Sequence, residues 1–255
     1  MALVKKFEAV KFEGSLKSNK VLSSIAVEAS IALYVNGTRI AIIMATPDMI
    51  KELAIGYLIC EGVISNLGEI EDIKIYEEKE KIEVYVKLKD DGNFQIWNEL
   101  RSSGCIGVAW DQEGRVKVCS NLKLKVSVIQ NSLKYLESDV YAETRGVHSA
   151  SLIDESGKLI ARAIDVGRHN AVDKVVGKAL LEKVELSKLF LLSTGRQSAG
   201  MVMKAARAGI PMVVTKAAPL SSGVEAAEKT GICLIGLANK DNMVVYSHLN
   251  RVEKG

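Results

Sequence analysis

Residues 189–215 read LFLLSTGRQSAGMVMKAARAGIPMVVT. Leu189–Leu192 is an apolar run of strand length, and Pro211–Thr215 is another. Between them Ser198–Ala208 has helical apolar spacing and ends at Gly209. Strand, polar turn, helix and strand in that order is the unit of an α/β layer with crossover helices. The pattern continues on both sides. Upstream, Val147–Ile153 and Leu159–Ile164 read as strands joined by the turn Asp154-Glu155-Ser156-Gly157. Asn170–Leu181 then reads as a helix with Ala171, Val172, Val175, Val176 and Ala179 on one side. Downstream, Ser221–Lys229 is a helix closed by Gly231, and Ile232–Leu237 and Met243–Tyr246 are strands.

The first half reads differently. Ser30–Val35 and Arg39–Met44 flank Asn36-Gly37, a hairpin signal. Thr46-Pro47-Asp48 predicts a helix start, with Thr46 as N-cap and Pro47 in the first turn. The helix would run to Cys60, with Ile50, Leu53, Ala54, Tyr57 and Leu58 on one face and Gly62 near its end. Ile73–Tyr76 and Ile82–Leu88 form a second strand pair, and Lys123–Leu136 has helical spacing. The expected division is therefore a β-rich region over 1–139 and an α/β domain over 140–255, α+β over the whole chain.

Composition excludes several classes. The 255 residues are 48% hydrophobic and 25% charged, with 3 prolines, as in a folded globular chain. A net charge of +3 permits an acidic ligand without requiring nucleic acid. Aromatic residues make up 5%, too few for a stacking platform on single strands. No apolar run reaches the length of a membrane span and the N-terminus lacks a signal-peptide core, so a cytoplasmic location is expected. The cysteines Cys60, Cys105, Cys119 and Cys233 form no Cys-x-x-Cys pair, which argues against structural zinc and a disulfide framework.

Polar residues collect in three strand-to-helix turns: Asp165-Val166-Gly167-Arg168-His169-Asn170, Ser193-Thr194-Gly195-Arg196-Gln197-Ser198, and Lys216 to Gly223. In a parallel sheet these turns share the carboxyl edge, where open α/β sheets bind ligands. Free amides at helix N-termini attract phosphates. Gly167 and Gly195 allow close backbone approach, and Arg168 and Arg196 can fork onto phosphate oxygens. Asp165 could hold a base or orient an arginine. Against this stands the plainer reading that Ser and Asn before a helix are caps and that the arginines form surface ion pairs. His148 and His169 lack a nucleophile or carboxylate arrangement that would mark a general base.

Cys105 lies in Ser102-Ser103-Gly104-Cys105-Ile106-Gly107, a small-residue loop that would leave a thiol approachable, with Arg101 near enough to favour the thiolate. Cys60, Cys119 and Cys233 sit in apolar contexts and are expected to be buried and inert.

These stretches resemble the FdhD family of formate dehydrogenase accessory sulfurtransferases. DVGRHNAVDKVVGKAL (165–180) carries the resemblance most specifically. LSTGRQSAGMVMKAARAGIPMVVTKAAP, AEKTGICLIGLA, ELAIGYLICEGVI and TRGVHSASL also match the family, and together they cover nearly the whole chain. The resemblance implies a cytidine-deaminase-like three-layer C-terminal domain without zinc. The sequence accordingly lacks the His-x-Glu and Pro-Cys-x-x-Cys of zinc deaminases. It implies that sulfur is taken from a cysteine desulfurase as a persulfide. The sulfur would then pass to the molybdenum bis(molybdopterin guanine dinucleotide) cofactor, carried as cargo before insertion into the formate dehydrogenase catalytic subunit. It also implies a homodimer, no nucleic-acid partner and no structural metal. The family's loop carries Cys-x-x-Cys. Here Cys105 aligns with the first cysteine and Val108 replaces the second, so Cys105 is the expected persulfide carrier. One thiol can both accept and donate sulfur.

The cofactor's guanine nucleotide would lie at Leu237, Ala238, Asn239, Lys240, Asp241 and Asn242, with Asp165, Gly167, Arg168, His169, Ser193, Gly195 and Arg196 nearby. The bland reading of 237–242 is a hairpin turn. Two other functions compete with sulfur transfer. One is a cofactor-binding chaperone that carries no sulfur. The other is a deaminase-type hydrolase, for which the chain offers no ligand set.

Overall fold

The computed structural model describes residues 2–14, 17–78, 81–90 and 116–254. The expected carrier Cys105 and the position of Val108 lie outside the described residues.

Strands β1 (Val4–Glu13) and β2 (Lys17–Ala26) form an antiparallel ribbon. β3 (Ala29–Val35) and β4 (Thr38–Ala45) form the expected hairpin, with Asn36 and Gly37 at φ 46° and 81°, as a two-residue turn of this hand requires. β5 (Ile70–Glu78) and β6 (Lys81–Leu88) complete a four-stranded sheet in the order β4-β3-β6-β5, with β3 and β6 parallel.

Helix α1 (Ile50–Cys60) differs from expectation at both its start and its surroundings. It begins at Ile50 after Met49, whose φ is 49°, and has no side-chain cap. Thr46 does not cap it. Thr46 is buried, its hydroxyl accepts from the Val166 amide and its own amide donates to Asp165. Nor is α1 amphipathic in place: apart from Lys51 and Glu52 all of its residues are buried.

A short strand β7 (Leu124–Lys125), helix α2 (Val126–Ser132), a 3-10 turn (Leu133–Leu136) and helix α3 (Asp139–Thr144) precede the larger sheet. That sheet contains β8 (His148–Asp154), β9 (Leu159–Asp165), β10 (Leu189–Ser193), β11 (Met212–Thr215), β12 (Cys233–Gly236) and β13 (Val244–Val245), ordered β13-β12-β11-β10-β8-β9. Helices α4 (Arg168–Leu181), α5 (Ala199–Arg207) and α6 (Ser221–Thr230) connect its strands, and β14 (Val252–Glu253) pairs with β7. The sheet is mixed: β8 runs against both neighbours, so β9, β10, β11 and β12 share one direction. Helix α4 begins at Arg168, before the expected Asn170, because Gly167 has already turned the chain and its carbonyl accepts from Ala171.

One apolar core joins the inner faces of both sheets to α1, α4, α5 and α6, with Leu33, Val84, Leu58, Val175, Val202 and Leu191 fully enclosed. A second core fills the other face of the large sheet, where Phe190, Leu192 and Val214 meet Ile129, Leu133 and Leu136. Helices α1 and α4 cross at two glycines. A Cβ on Gly56 would fall 1.8 Å from the Asp173 carbonyl oxygen, and one on Gly177 1.9 Å from that of Glu52.

Candidate functional site

Because β9, β10 and β11 run the same way, the three polar turns do emerge along one edge. The last residues of these strands, Asp165, Ser193 and Thr215, are buried. Ser193 accepts from the Gly195 amide through Oγ, and Thr215 donates its hydroxyl to the Gly195 carbonyl. The next residue of each turn, Val166, Thr194 and Lys216, faces a cleft of about 730 Å³ with Tyr141, Arg145 and His148. A second cleft of about 750 Å³ adjoins it, lined by Asn131, Lys134, Leu237, Ala238, Asn239 and Lys240. Lys216 and Glu137 line both.

The electrostatics favour an anion. Lys216 and Arg145 are exposed and form no ion pair with any described residue, and Arg145 lies 5.1 Å over the Tyr141 ring. Arg145 holds φ 56°, an uncommon conformation for a side chain of its size that places it at the cleft wall. The helix N-termini do not add to this. Gly167, Ser198 and Leu220 precede α4, α5 and α6, and none makes a side-chain cap. The capping role expected of Ser and Asn is therefore absent. Asn170 instead bridges the Met44 carbonyl and Asp165, while Ser222 rather than Ser198 receives the Ala199 amide. Ser222 thus serves the first amide of α5 and Asp165 that of Gly167, and no first-turn residue of the three helices lines either cleft.

His148 Nδ1 sits 3.1 Å from Thr194 Oγ1. Burial, assisted by Arg168 and opposed by Asp165, lowers its pKa, so the ring is neutral at neutral pH. His169 is lowered further, to about 4, by burial first, then by Lys204 and Arg168.

The other expected residues divide into two groups. Gly195 packs on Arg168: a Cβ there would lie 2.7 Å from Arg168 Cβ, which joins the first two turns. Arg168 Nε is buried and has no hydrogen-bond partner among the described residues, whereas Arg196 is exposed and pairs with no described carboxylate. Neither lines the two clefts. Asp165 lies inside the fold. It meets Lys174 at 2.7 Å and accepts from the amides of Thr46 and Gly167 and from Asn170. Lys174, fully buried, also meets Asp48 at 2.5 Å and the Thr46 carbonyl at 2.9 Å. Burial raises the Asp165 pKa despite the pull of Lys174. Beside this pair Lys204 meets both oxygens of Asp173 at 2.9 Å and Glu61 at 2.7 Å, tying α5 to α4 and to the end of α1. Beyond Asn239, Asp241 and Asn242 are exposed, and their amides donate to Asn239 Oδ1 in a tight turn.

Among the cysteines, Cys60 and Cys233 are buried, and burial pushes both thiols up. Cys119 departs from expectation. It is exposed, because residues 116–123 follow the surface rather than forming a strand or helix. No cluster of metal-ligating side chains occurs among the described residues.

The fold and this edge define an α/β protein with two polar clefts at one end of its larger sheet. The FdhD/NarQ family model matches residues 26–253, and the chain belongs to that family. It is 35% identical over 261 residues to "Sulfur carrier protein FdhD" of Saccharolobus solfataricus, covering 98% of each chain. It is 34% identical over 233 residues to the protein of the same name from Wolinella succinogenes, covering 89% of this chain and 81% of that one. A crystal structure from Desulfotalea psychrophila, of a candidate formate dehydrogenase accessory protein, has the same fold. Its TM-score is 0.80 at 24% identity, over 99% of this chain and 100% of that one.

Proposed function

We propose that this chain is a sulfur carrier in formate dehydrogenase maturation. It receives sulfur from a cysteine desulfurase as a persulfide on Cys105 and passes it to a molybdenum bis(guanine dinucleotide) cofactor held at the sheet edge. The observation that supports the cofactor part is the pair of adjoining clefts with exposed Lys216 and Arg145, which pair with no described carboxylate. Phosphate-bearing ligands suit such exposed cations. The sulfur part is supported by family membership and the names of the relatives. In the loading step the Cys105 thiolate attacks the outer sulfur of the desulfurase persulfide, and the desulfurase thiolate leaves.

Intact mass after incubation with cysteine and a desulfurase tests the carrier role. A gain of one sulfur in the wild type but not in Cys105→Ser supports it. No gain in the wild type, with the desulfurase active, leaves a cofactor-binding chaperone, the reading favoured by Val108 at the place of the family's second cysteine. As in the family, we place the protein in the cytoplasm as a homodimer. The β1–β2 ribbon carries exposed Phe7, Phe12 and Leu22, which suit a second copy. The charged double variant Phe7→Glu/Phe12→Glu then sediments as a monomer.

A further inference from the structure

We infer that the outer face of the four-stranded sheet β4-β3-β6-β5 is a docking face for the β1–β2 ribbon of a second copy of this chain, a basic apolar arm received on an acidic, tyrosine-rich surface. The inference deepens the homodimer reading above and rests on it.

Strand alternation puts Ile31, Leu33, Ile82 and Val84 in the core, so the residues between them face outward. On that side Tyr34 stacks on Tyr85 with ring centroids 4.5 Å apart, and Tyr76 meets Tyr85 edge-on at 5.7 Å. Tyr76, Tyr85, Ile42 and Met44 are exposed. Tyrosine and aliphatic side chains in one patch are the composition of an interface centre. The patch is acidic along one side. The edge strand β5 holds Glu71, Asp72, Glu77 and Glu78 against one lysine, Lys74, and Glu83 of β6 lies opposite Tyr76. The ribbon is the complement. Its register sets Val10, Phe12 and Leu22 on one face with Lys6 and Lys20, and all five side chains are exposed. A two-stranded ribbon buries too little to be stable alone and needs a covering surface. Charge selects that surface. The chain has 34 basic and 31 acidic residues, and the ribbon strands hold five of the former (Lys5, Lys6, Lys11, Lys17, Lys20) and two of the latter (Glu8, Glu13). The whole net charge of +3 therefore resides in the ribbon, and the rest of the chain balances. Ribbon packed on ribbon would bring like charges together, whereas ribbon on sheet sets these lysines against the β5 carboxylates. The reach suffices: ten strand residues span roughly 33 Å and four strands are about 19 Å wide. Exchanged reciprocally about a twofold axis, the two arms close the assembly at a dimer.

Sedimentation equilibrium of the full-length protein tests this. The proteins are wild type, Lys6→Glu/Lys20→Glu on the ribbon, Glu78→Lys/Glu83→Lys on the sheet, and the variant combining all four changes. None of the four positions lies in the core. Each double variant should weaken the dimer roughly ten- to hundredfold, because it sets like charges face to face. The fourfold variant exchanges the signs and should recover to within about threefold of wild type. That recovery also shows that both sets of changes leave the chain folded. If the sheet variant dimerises as wild type does, the ribbon docks elsewhere, ribbon on ribbon included, and the inference is overturned while the homodimer stands. A fourfold variant that fails to recover overturns it as well. A monomeric wild type removes the homodimer reading and this inference with it.

Discussion

Lys174 is the residue on which the site's inner wall depends most. Its ammonium has three donors and meets three acceptors, on Asp48, Asp165 and Thr46, with no exposure to solvent. Removing one partner of a buried pair leaves an uncompensated charge. Lys174→Ala should therefore destabilise the protein by about 3–5 kcal/mol, read as a fall in the urea midpoint. His169 offers a pH test. Its folded pKa of about 4 lies below the ordinary 6.5, so the unfolded chain binds more protons between those values. The stability it contributes is present above pH 6.5 and is lost as pH falls towards 4. Asp173, raised to about 6 chiefly by burial against the pull of Lys204, has the opposite sign. Its contribution is present below the ordinary 3.8 and lost as pH rises through 6. The two oppose each other over much of one window. His169→Gln should reduce the loss of stability between pH 7 and 5 by on the order of 1 kcal/mol, measured by urea unfolding at both values.

At the scale of elements, the crossing of α1 and α4 is the sharpest constraint. Glycine to alanine inside a helix normally gains about 1 kcal/mol in propensity. Here the added methyl of Gly177→Ala would meet a backbone carbonyl at 1.9 Å, which no rotamer can relieve. The helices must part, and a net loss of about 1–3 kcal/mol in chemical denaturation is expected. The sequence disclosed α1, α4, α5 and α6, the hairpin at Asn36-Gly37 and the succession of strands from Val147 to Tyr246, because each carries local periodicity or turn chemistry, but not the short helix α3. It did not disclose this crossing: Gly56 and Gly177 are 121 positions apart, and nothing local in either helix announces the other. The polar turns at the sheet edge are legible in the sequence, but not which of their residues line the clefts: Thr194 and Val166 do, beside buried Ser193 and Asp165. A strand's alternation swings successive side chains between wall and cavity, so an uncertainty of one position at a strand end exchanges the two. Lys216 lines the clefts for the same reason, following Thr215 as Thr194 follows Ser193.

Over the whole molecule, the two halves expected from the sequence share one core and two buried ion clusters, with Asp48 reaching Lys174 and Glu61 reaching Lys204. The stretch most specific to the family, 165–180, is largely interior scaffolding. Asp165, Asn170, Asp173, Lys174 and Gly177 hold α4 against the first half. A motif recognised by likeness alone reveals that its residues matter, and only their burial tells which bind and which brace. The enclosure of α1 between the sheets has a consequence for motion. A helix with nearly every side chain covered, gripped at a glycine crossing, cannot open by itself. In deuterium-labelled water the central amides of residues 54–60 should exchange only when the whole molecule unfolds, with the same apparent free energy as those of α4. Amides of the β1–β2 ribbon, whose side chains are mostly open to solvent, should exchange long before them.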